Sequence, residues 1–232
     1  SEINAQKSKN IHGCFLSILF YFVFKLHTVM KNSFFVFSVI IFLFPVACFS
    51  QDNLISHQIG SVEKFQKSDH GILIKTAGNV EVQLSVYSPN IVRVRIAPAT
   101  MAVSSSYAVI QDAASGFKNV TDNKDSITLT TDSLKIVVQK NPLRINFYNA
   151  LGQWLDGDAP SLGVSWQGTE MTSYRKLTDD EKFIGLGEKT GPLNRRGESY
   201  VHWNTDAPGY GITQDPIYST MPYFMGVHAN SL

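Results

Sequence analysis

Cysteine is scarce in this sequence and absent from most of it. Cys14 and Cys48 both fall in the first 50 residues. Residues 51–232 therefore have no disulfide, no metal-thiolate site and no cysteine nucleophile. An excess of either charge is missing too. The first 50 residues hold four of the 20 basic and one of the 19 acidic residues, which leaves the rest at net −2. Without basic clusters, nucleic acid is excluded as the main partner. His12, His27, His57, His70, His202 and His228 show no H-x-x-x-H spacing, so no zinc site is expected, and no cofactor is implied. No G-x-S-x-G elbow occurs. No window shows a 3.6-residue apolar period, and there is no internal repeat or low-complexity linker. At 17% charged residues, with many β-branched ones, the chain is not a disordered one. Residues 51–232 suffice for one domain, but not for that domain plus a (β/α)₈ barrel of about 250 residues.

The start of the chain is apolar. Ten of the 15 Phe lie in the first 50 residues, in two runs at 14–24 and 34–49. Each is shorter than the roughly 20 residues that cross a bilayer as a helix. The second run has a secretory layout. Met30-Lys31-Asn32 is a short basic n-region, residues 34–44 form the h-region, and Pro45 precedes the small-residue end Cys48-Phe49-Ser50. The expectation is a signal peptide at 30–50, cleaved before Gln51, with residues 1–29 an upstream non-native or disordered leader. The product would be secreted or periplasmic, touching membrane only through the signal peptide. A retained membrane anchor is one alternative. A lipid anchor through Cys48 is another, because Val46-Ala47-Cys48 resembles the end of a lipobox, although Pro45 stands where an aliphatic residue is expected.

After Gln51, period-2 alternation dominates. Val80, Val82, Leu84 and Val86 point one way, and Glu81, Gln83, Ser85 and Tyr87 the other. Ser88-Pro89-Asn90 turns the chain. Val92, Val94 and Ile96 then alternate with Arg93 and Arg95, giving a hairpin with one buried face. Ile127 and Leu129, then Leu134, Ile136 and Val138, then Leu143, Ile145 and Phe147 repeat the pattern, with Asn141-Pro142 between the last two runs. The segment 100–123 reads as a long connection with one strand near residues 107–110. Residues 221–227 return to a strand pattern. Short strands at short intervals predict an all-β fold, an antiparallel β-sandwich or barrel.

The chemistry-bearing motifs are few. The glycines between Gly185 and Gly191 fit neither G-x-G-x-x-G nor G-x-x-x-x-G-K-[ST], and no helical pattern follows to bind phosphate. They read as a tight strand-to-loop turn. Asp156 with Asp158, and Asp179-Asp180-Glu181, offer carboxylates for acid–base work, but read as solvated turns. The residues alone yield no catalytic constellation. Trp203-Asn204-Thr205-Asp206 is the most informative tetrad. An indole can stack on the apolar face of a pyranose while a carboxylate accepts from two hydroxyls. The alternative is a core Trp203 with Asn204 and Asp206 as turn formers. The surrounding segment 204–219 carries Pro208, Gly209, Gly211 and Pro216 yet keeps Tyr210 and Tyr218, as binding loops do.

An ordered series of motifs follows from Phe183-Ile184-Gly185-Leu186-Gly187-Glu188-Lys189-Thr190-Gly191-Pro192-Leu193. It continues with Arg195-Arg196-Gly197, Trp203-Asn204-Thr205-Asp206-Ala207-Pro208-Gly209-Tyr210, Asp215-Pro216-Ile217-Tyr218 and Pro222-Tyr223-Phe224-Met225-Gly226-Val227. This series closely resembles glycoside hydrolase family 31, the family of α-glucosidases and α-xylosidases. Val92-Arg93-Val94-Arg95-Ile96 and residues 134–148 resemble earlier strands of the same domain, so the likeness covers roughly residues 55–230. It implies a galactose mutarotase-like β-sandwich at 51–232, with loop 204–219 at an active-site rim and the chain truncated before a catalytic barrel. It also implies a retaining mechanism whose two aspartates belong to that barrel, leaving no catalytic residue in this chain. By the resemblance, Asp206 matches the family's Asn-Thr-Asp aspartate and contacts sugar; Trp203, Asn204 and Tyr210 are the companion substrate-binding residues. The implied partners are an oligosaccharide or α-glycoside substrate and the barrel of the same polypeptide. Two rival readings remain: a stand-alone carbohydrate-binding sandwich, and a structural envelope sandwich.

Overall fold

The computed structural model describes residues 57–228. The leader, the signal-peptide layout with its cleavage before Gln51, and both cysteines lie outside the described residues. Among those described, every regular element is a strand, so the fold is all-β. After a short β1 (His57–Gln58), the strands β2 (Val62–Ser68), β3 (Gly71–Thr76), β4 (Glu81–Ser88) and β5 (Ile91–Ala97) form a four-stranded antiparallel meander. The strands β6 (Asn119–Asp122), β7 (Ser126–Thr130), β8 (Leu134–Lys140), β9 (Leu143–Asn149) and β10 (Trp154–Gly157) form a five-stranded one. A third sheet joins β1 to β11 (Val164–Gln167) and β12 (Glu170–Ser173). Last, β13 (Lys182–Gly187) pairs with β14 (Thr220–Val227).

The two meanders share one core. Ile72, Ile74, Val82 and Leu84 from one sheet cluster with Ile127, Leu129, Ile136, Val138 and Ile145 from the other, all essentially inaccessible to solvent. Two antiparallel sheets that bury one face each against a common core make a sandwich. A fully buried Leu such as Leu84 contributes about 1.5–3 kcal/mol by leaving water. The alternation of β4 therefore has a direct energetic meaning: a one-residue slip against β3 or β5 would move Val82, Leu84 and Val86 into solvent.

Four expectations need correction. Residues 107–110 are not a strand, and Tyr107 and Ile110 lie fully in solvent. The strand of that region is β6, an edge strand where only Val120 packs on the core, so its sequence shows no usable period. Glu81 does not sit on a wet face but is buried. Its carboxylate accepts from the Lys75 ammonium at 2.8 Å and from the Met101 N–H at 2.7 Å. Those bonds, the Lys75 one foremost, hold its carboxyl below the usual range against the opposing effect of burial. Asp158 is not a solvated turn residue either. It is buried, accepts from the Ile145 N–H, and pairs with Arg175 at 2.7 Å. Burial pushes its carboxyl up, partly offset by the Ile145 N–H and the charges of Arg175 and Arg144. Glu181 is buried as well, accepting from the Thr178 N–H.

Buried Arg144 is the other ionic anchor of the sandwich. Its guanidinium donates to the carbonyls of Leu143, Ala159, Pro160 and Ser161. It thus ties β9 to the connection that leads into β11.

Candidate functional site

The site begins with a break in a strand. β13 runs in register with β14 from Lys182↔Val227 to Gly185↔Phe224, then shifts so that Gly187 faces Thr220. Across this shift the single residue Leu186 of β13 stands against three residues of β14, Met221 to Tyr223, so the extra residues lie on β14. Gly185, Leu186 and Gly187 all take positive φ, at 131°, 74° and 80°. A side chain at Gly185 would place its Cβ 2.6 Å from the Tyr223 carbonyl oxygen. The glycines are thus required by the backbone geometry of a bulge that re-aims the chain.

Beyond the bulge the chain enters the loops that carry the tetrad. Glu188 fixes Ser219 twice: its N–H donates to the Ser219 carbonyl, and its carboxylate accepts from the Ser219 N–H at 2.9 Å. Lys189 has a fully buried side chain and forms an ion pair with Asp215 at 2.8 Å. Its ammonium also donates to the Val201 carbonyl, while Asp215 accepts from the Val201 N–H. Burial opposes the Asp215 charge, but Lys189, the Val201 N–H and His202 together hold its carboxyl below the ordinary range. Arg195 donates to the carbonyls of Thr190 and Pro192 and lies over the Tyr200 ring. Arg196 reaches the other way, to the carbonyls of Thr178 and Glu181.

On this frame the four residues singled out from the sequence occupy one loop but not one role. Trp203 is 68% exposed, which excludes the reading of it as a core residue. Asp206 is exposed and, among the described residues, makes no hydrogen bond or ion pair. Tyr210 is half exposed and packs edge-to-face on Tyr218, ring centres 5.7 Å apart. Asn204 differs: its side-chain oxygen accepts from the Thr220 N–H at 2.8 Å, beside a His202–Thr220 side-chain bond. Asn204 thus braces the loop. Trp203, Asp206 and Tyr210 leave an indole, a free carboxylate and a phenol at the surface.

Sequence reasoning did not single out the brace itself. Lys189 and Asp215 stand within the quoted motifs, but nothing in the residues pairs two positions that far apart. A separate cleft of about 750 Å³ lies between β13–β14 and the segment after β12. Phe183, Phe224, Arg175, Glu181 and His228 help line it, and none of the four loop residues does. The two carboxylates of Asp156 and Asp158 both grip Arg175, so they form a structural ion cluster and not a free acid–base pair. Among the described residues, no group of three or more His, Cys, Asp or Glu is placed to hold a metal ion.

Known proteins give this geometry a context. The glycosyl hydrolase 31 N-terminal galactose mutarotase-like domain matches residues 81–232. An α-glucosidase 2 of Bacillus thermoamyloliquefaciens is 31% identical over 177 residues, covering 75% of this chain and 22% of the relative. A family 31 dextranase of Flavobacterium johnsoniae, solved with glucose, superposes with a TM-score of 0.68 at 28% identity, over 73% of this chain and 21% of the dextranase. The same dextranase was also solved, as a mutant, with isomaltotriose. The chain spans about a fifth of the length of these relatives. From the match over residues 81–232, the chain belongs to glycoside hydrolase family 31 and carries that family's N-terminal galactose mutarotase-like domain.

Proposed function

We propose that the polypeptide bearing this domain is an exported retaining α-glycosidase, an α-glucosidase by preference, that removes terminal α-linked sugars from oligosaccharides. The domain packs on a catalytic (β/α)₈ barrel that supplies the nucleophile and the acid/base. Loop 204–219 forms part of the rim of its pocket. The observation that carries this reading is the pairing of Trp203 with Asp206 on a braced loop. A large aromatic ring stands in solvent three residues from an exposed carboxylate that no group among the described residues engages. A carboxylate left free of its own protein can accept two sugar hydroxyls, and an exposed indole offers the flat apolar surface that a pyranose ring covers. The relatives, an α-glucosidase and a dextranase, support α-linked glucosides as the substrate class.

The domain's own contribution is binding and exclusion of water, not bond cleavage. A retaining glycosidase needs two carboxyls about 5–5.5 Å apart across the scissile bond, and Asp206 is a single free carboxylate on its loop. Residues 51–232 alone are therefore expected to hydrolyse nothing, while the intact polypeptide turns over an aryl α-glucoside. Turnover by the purified fragment, persisting through removal of contaminants, would overturn the division of labour. An intact polypeptide that binds α-glucosides without cleaving them would instead favour a carbohydrate-binding sandwich. One that neither binds nor cleaves them would favour the structural reading.

A further inference from the structure

We propose that Lys189 and Asp215 are positioning residues of the rim: their buried ion pair closes the neck of loop 202–214 and thereby fixes where Trp203 and Asp206 stand. This rests on the reading of that loop as the sugar-contacting rim. The geometry at the neck is specific. Val201, where the loop departs, has both backbone groups gripped. Its carbonyl accepts from the Lys189 ammonium and its N–H donates to the Asp215 carboxylate. Asp215 is the residue where the loop returns. Beside it, the Thr190 hydroxyl donates to the Gln214 carbonyl at 2.8 Å. Tyr200 closes the other side, its ring centre 5.9 Å from the Lys189 nitrogen and 5.3 Å from the Arg195 guanidinium.

Neither charge is available to a ligand. The Lys189 side chain is fully buried, and that of Asp215 is 15% exposed with both oxygens bonded. A buried ion pair gives little net stability over an apolar pair of similar volume. What this one gives is a defined path for the chain, because a bare apolar pair could not hold the two polar groups of Val201. The adjacent residues fit that assignment: His202 and Asn204 are bonded to Thr220, while Trp203 and Asp206 project from the held segment.

The test uses the intact polypeptide with Lys189→Met and, separately, Asp215→Asn, which keeps an acceptor for the Val201 N–H. Amide hydrogen exchange is expected to rise at least about tenfold across 202–214 in Lys189→Met, with β3, β4, β7 and β8 unchanged. Asp215→Asn should fall between it and wild type. With an aryl α-glucoside, Lys189→Met should lower kcat/KM about tenfold or more, and by clearly less when Asp206 is already Ala, because part of its effect acts through that residue and the rest through Trp203. Equal losses in the two backgrounds would overturn the positioning role. Unchanged exchange at 202–214 in both variants would overturn the clamp itself. Should Lys189→Met not fold, Asp215→Asn carries the same comparisons. If the intact polypeptide cleaves no α-glucoside, the proposed reaction falls, and the exchange result alone decides whether the pair holds the loop.

Discussion

Replacing Asp206 by Ala in the intact enzyme separates a ligand contact from a turn former. The structure sets the folding side of the comparison. Asp206 is exposed and has no intramolecular partner among the described residues, so its removal should change stability by no more than about 0.5 kcal/mol. For a domain of this size that shifts Tm by roughly 1–2 °C. The functional side follows from the hydrogen bond it would lose. A bond to a charged group is worth about 1.5–3 kcal/mol, or roughly 10- to 150-fold in kcat/KM. A contact that strengthens in the transition state lowers kcat when lost, and a uniform one raises KM. Asn204→Ala is the internal control. It removes the acceptor of the Thr220 N–H, so it should lower stability by about 0.5–1.5 kcal/mol. Both variants are measured for melting and for kinetics on the same preparations. A change in kcat/KM below about twofold for Asp206→Ala, far under the window set by a charged hydrogen bond, would refute the contact. So would a melting loss as large as that of Asn204→Ala.

Three further outcomes are expected. N-terminal sequencing of exported protein should begin at Gln51, and a mature chain that retains residues 34–44 would restore the membrane-anchor alternative. Arg144→Met strands the carbonyls of Leu143, Ala159, Pro160 and Ser161. It also removes a cation near buried Asp158, so denaturant unfolding should show a loss of about 3–5 kcal/mol; a loss under about 1 kcal/mol would mean that water replaces the guanidinium. Finally, the Asp215 carboxyl is held below its ordinary value. The stability it contributes is therefore complete above the unfolded value, about 3.9, and is lost as pH falls through the folded value. The difference in urea midpoint between wild type and Asp215→Asn should be flat from about pH 5 to 7 and shrink below about pH 4, and a difference that grows on acidification would contradict the assignment.

The sandwich was legible wherever a strand buries one face and wets the other. β5, β7 and β8 satisfy that condition, β4 and β9 do so apart from buried Glu81 and Arg144, and their alternation places the inward residues of both meanders. β3 escaped notice because Ile72-Leu73-Ile74 is a continuous apolar run, which has no period. β6 escaped because an edge strand with a single inward residue has too little pattern to detect. The buried acids show a different limit. Whether Glu81, Asp158 or Glu181 is solvated depends on Lys75, on Arg175 and on backbone N–H groups brought in from other segments, and no local reading of a carboxylate contains that. In the loop after Val201, Trp203 and Asp206 stand out in the sequence as a residue pair within a motif that resembles the family's. The role of Asn204 became visible only with its Thr220 partner in place, because a side-chain amide serves a backbone and a ligand equally well.

A loop whose two ends are locked together behaves as a cassette. Once Val201 and Asp215 are joined and His202 and Asn204 are bonded to Thr220, the conformation of the residues beyond Asn204 has little leverage on β13 or β14. For such a closed segment, doubling the length adds only about 0.6 kcal/mol of closure entropy. Lineages of this family could therefore lengthen, shorten or rewrite the stretch around Ala207–Thr213 with little effect on the sandwich, provided that the lysine and aspartate at its base persist. Under the proposed sugar-contacting role of the loop, grafting that stretch between relatives, cut at the ion pair, is the corresponding engineering route to altered sugar preference.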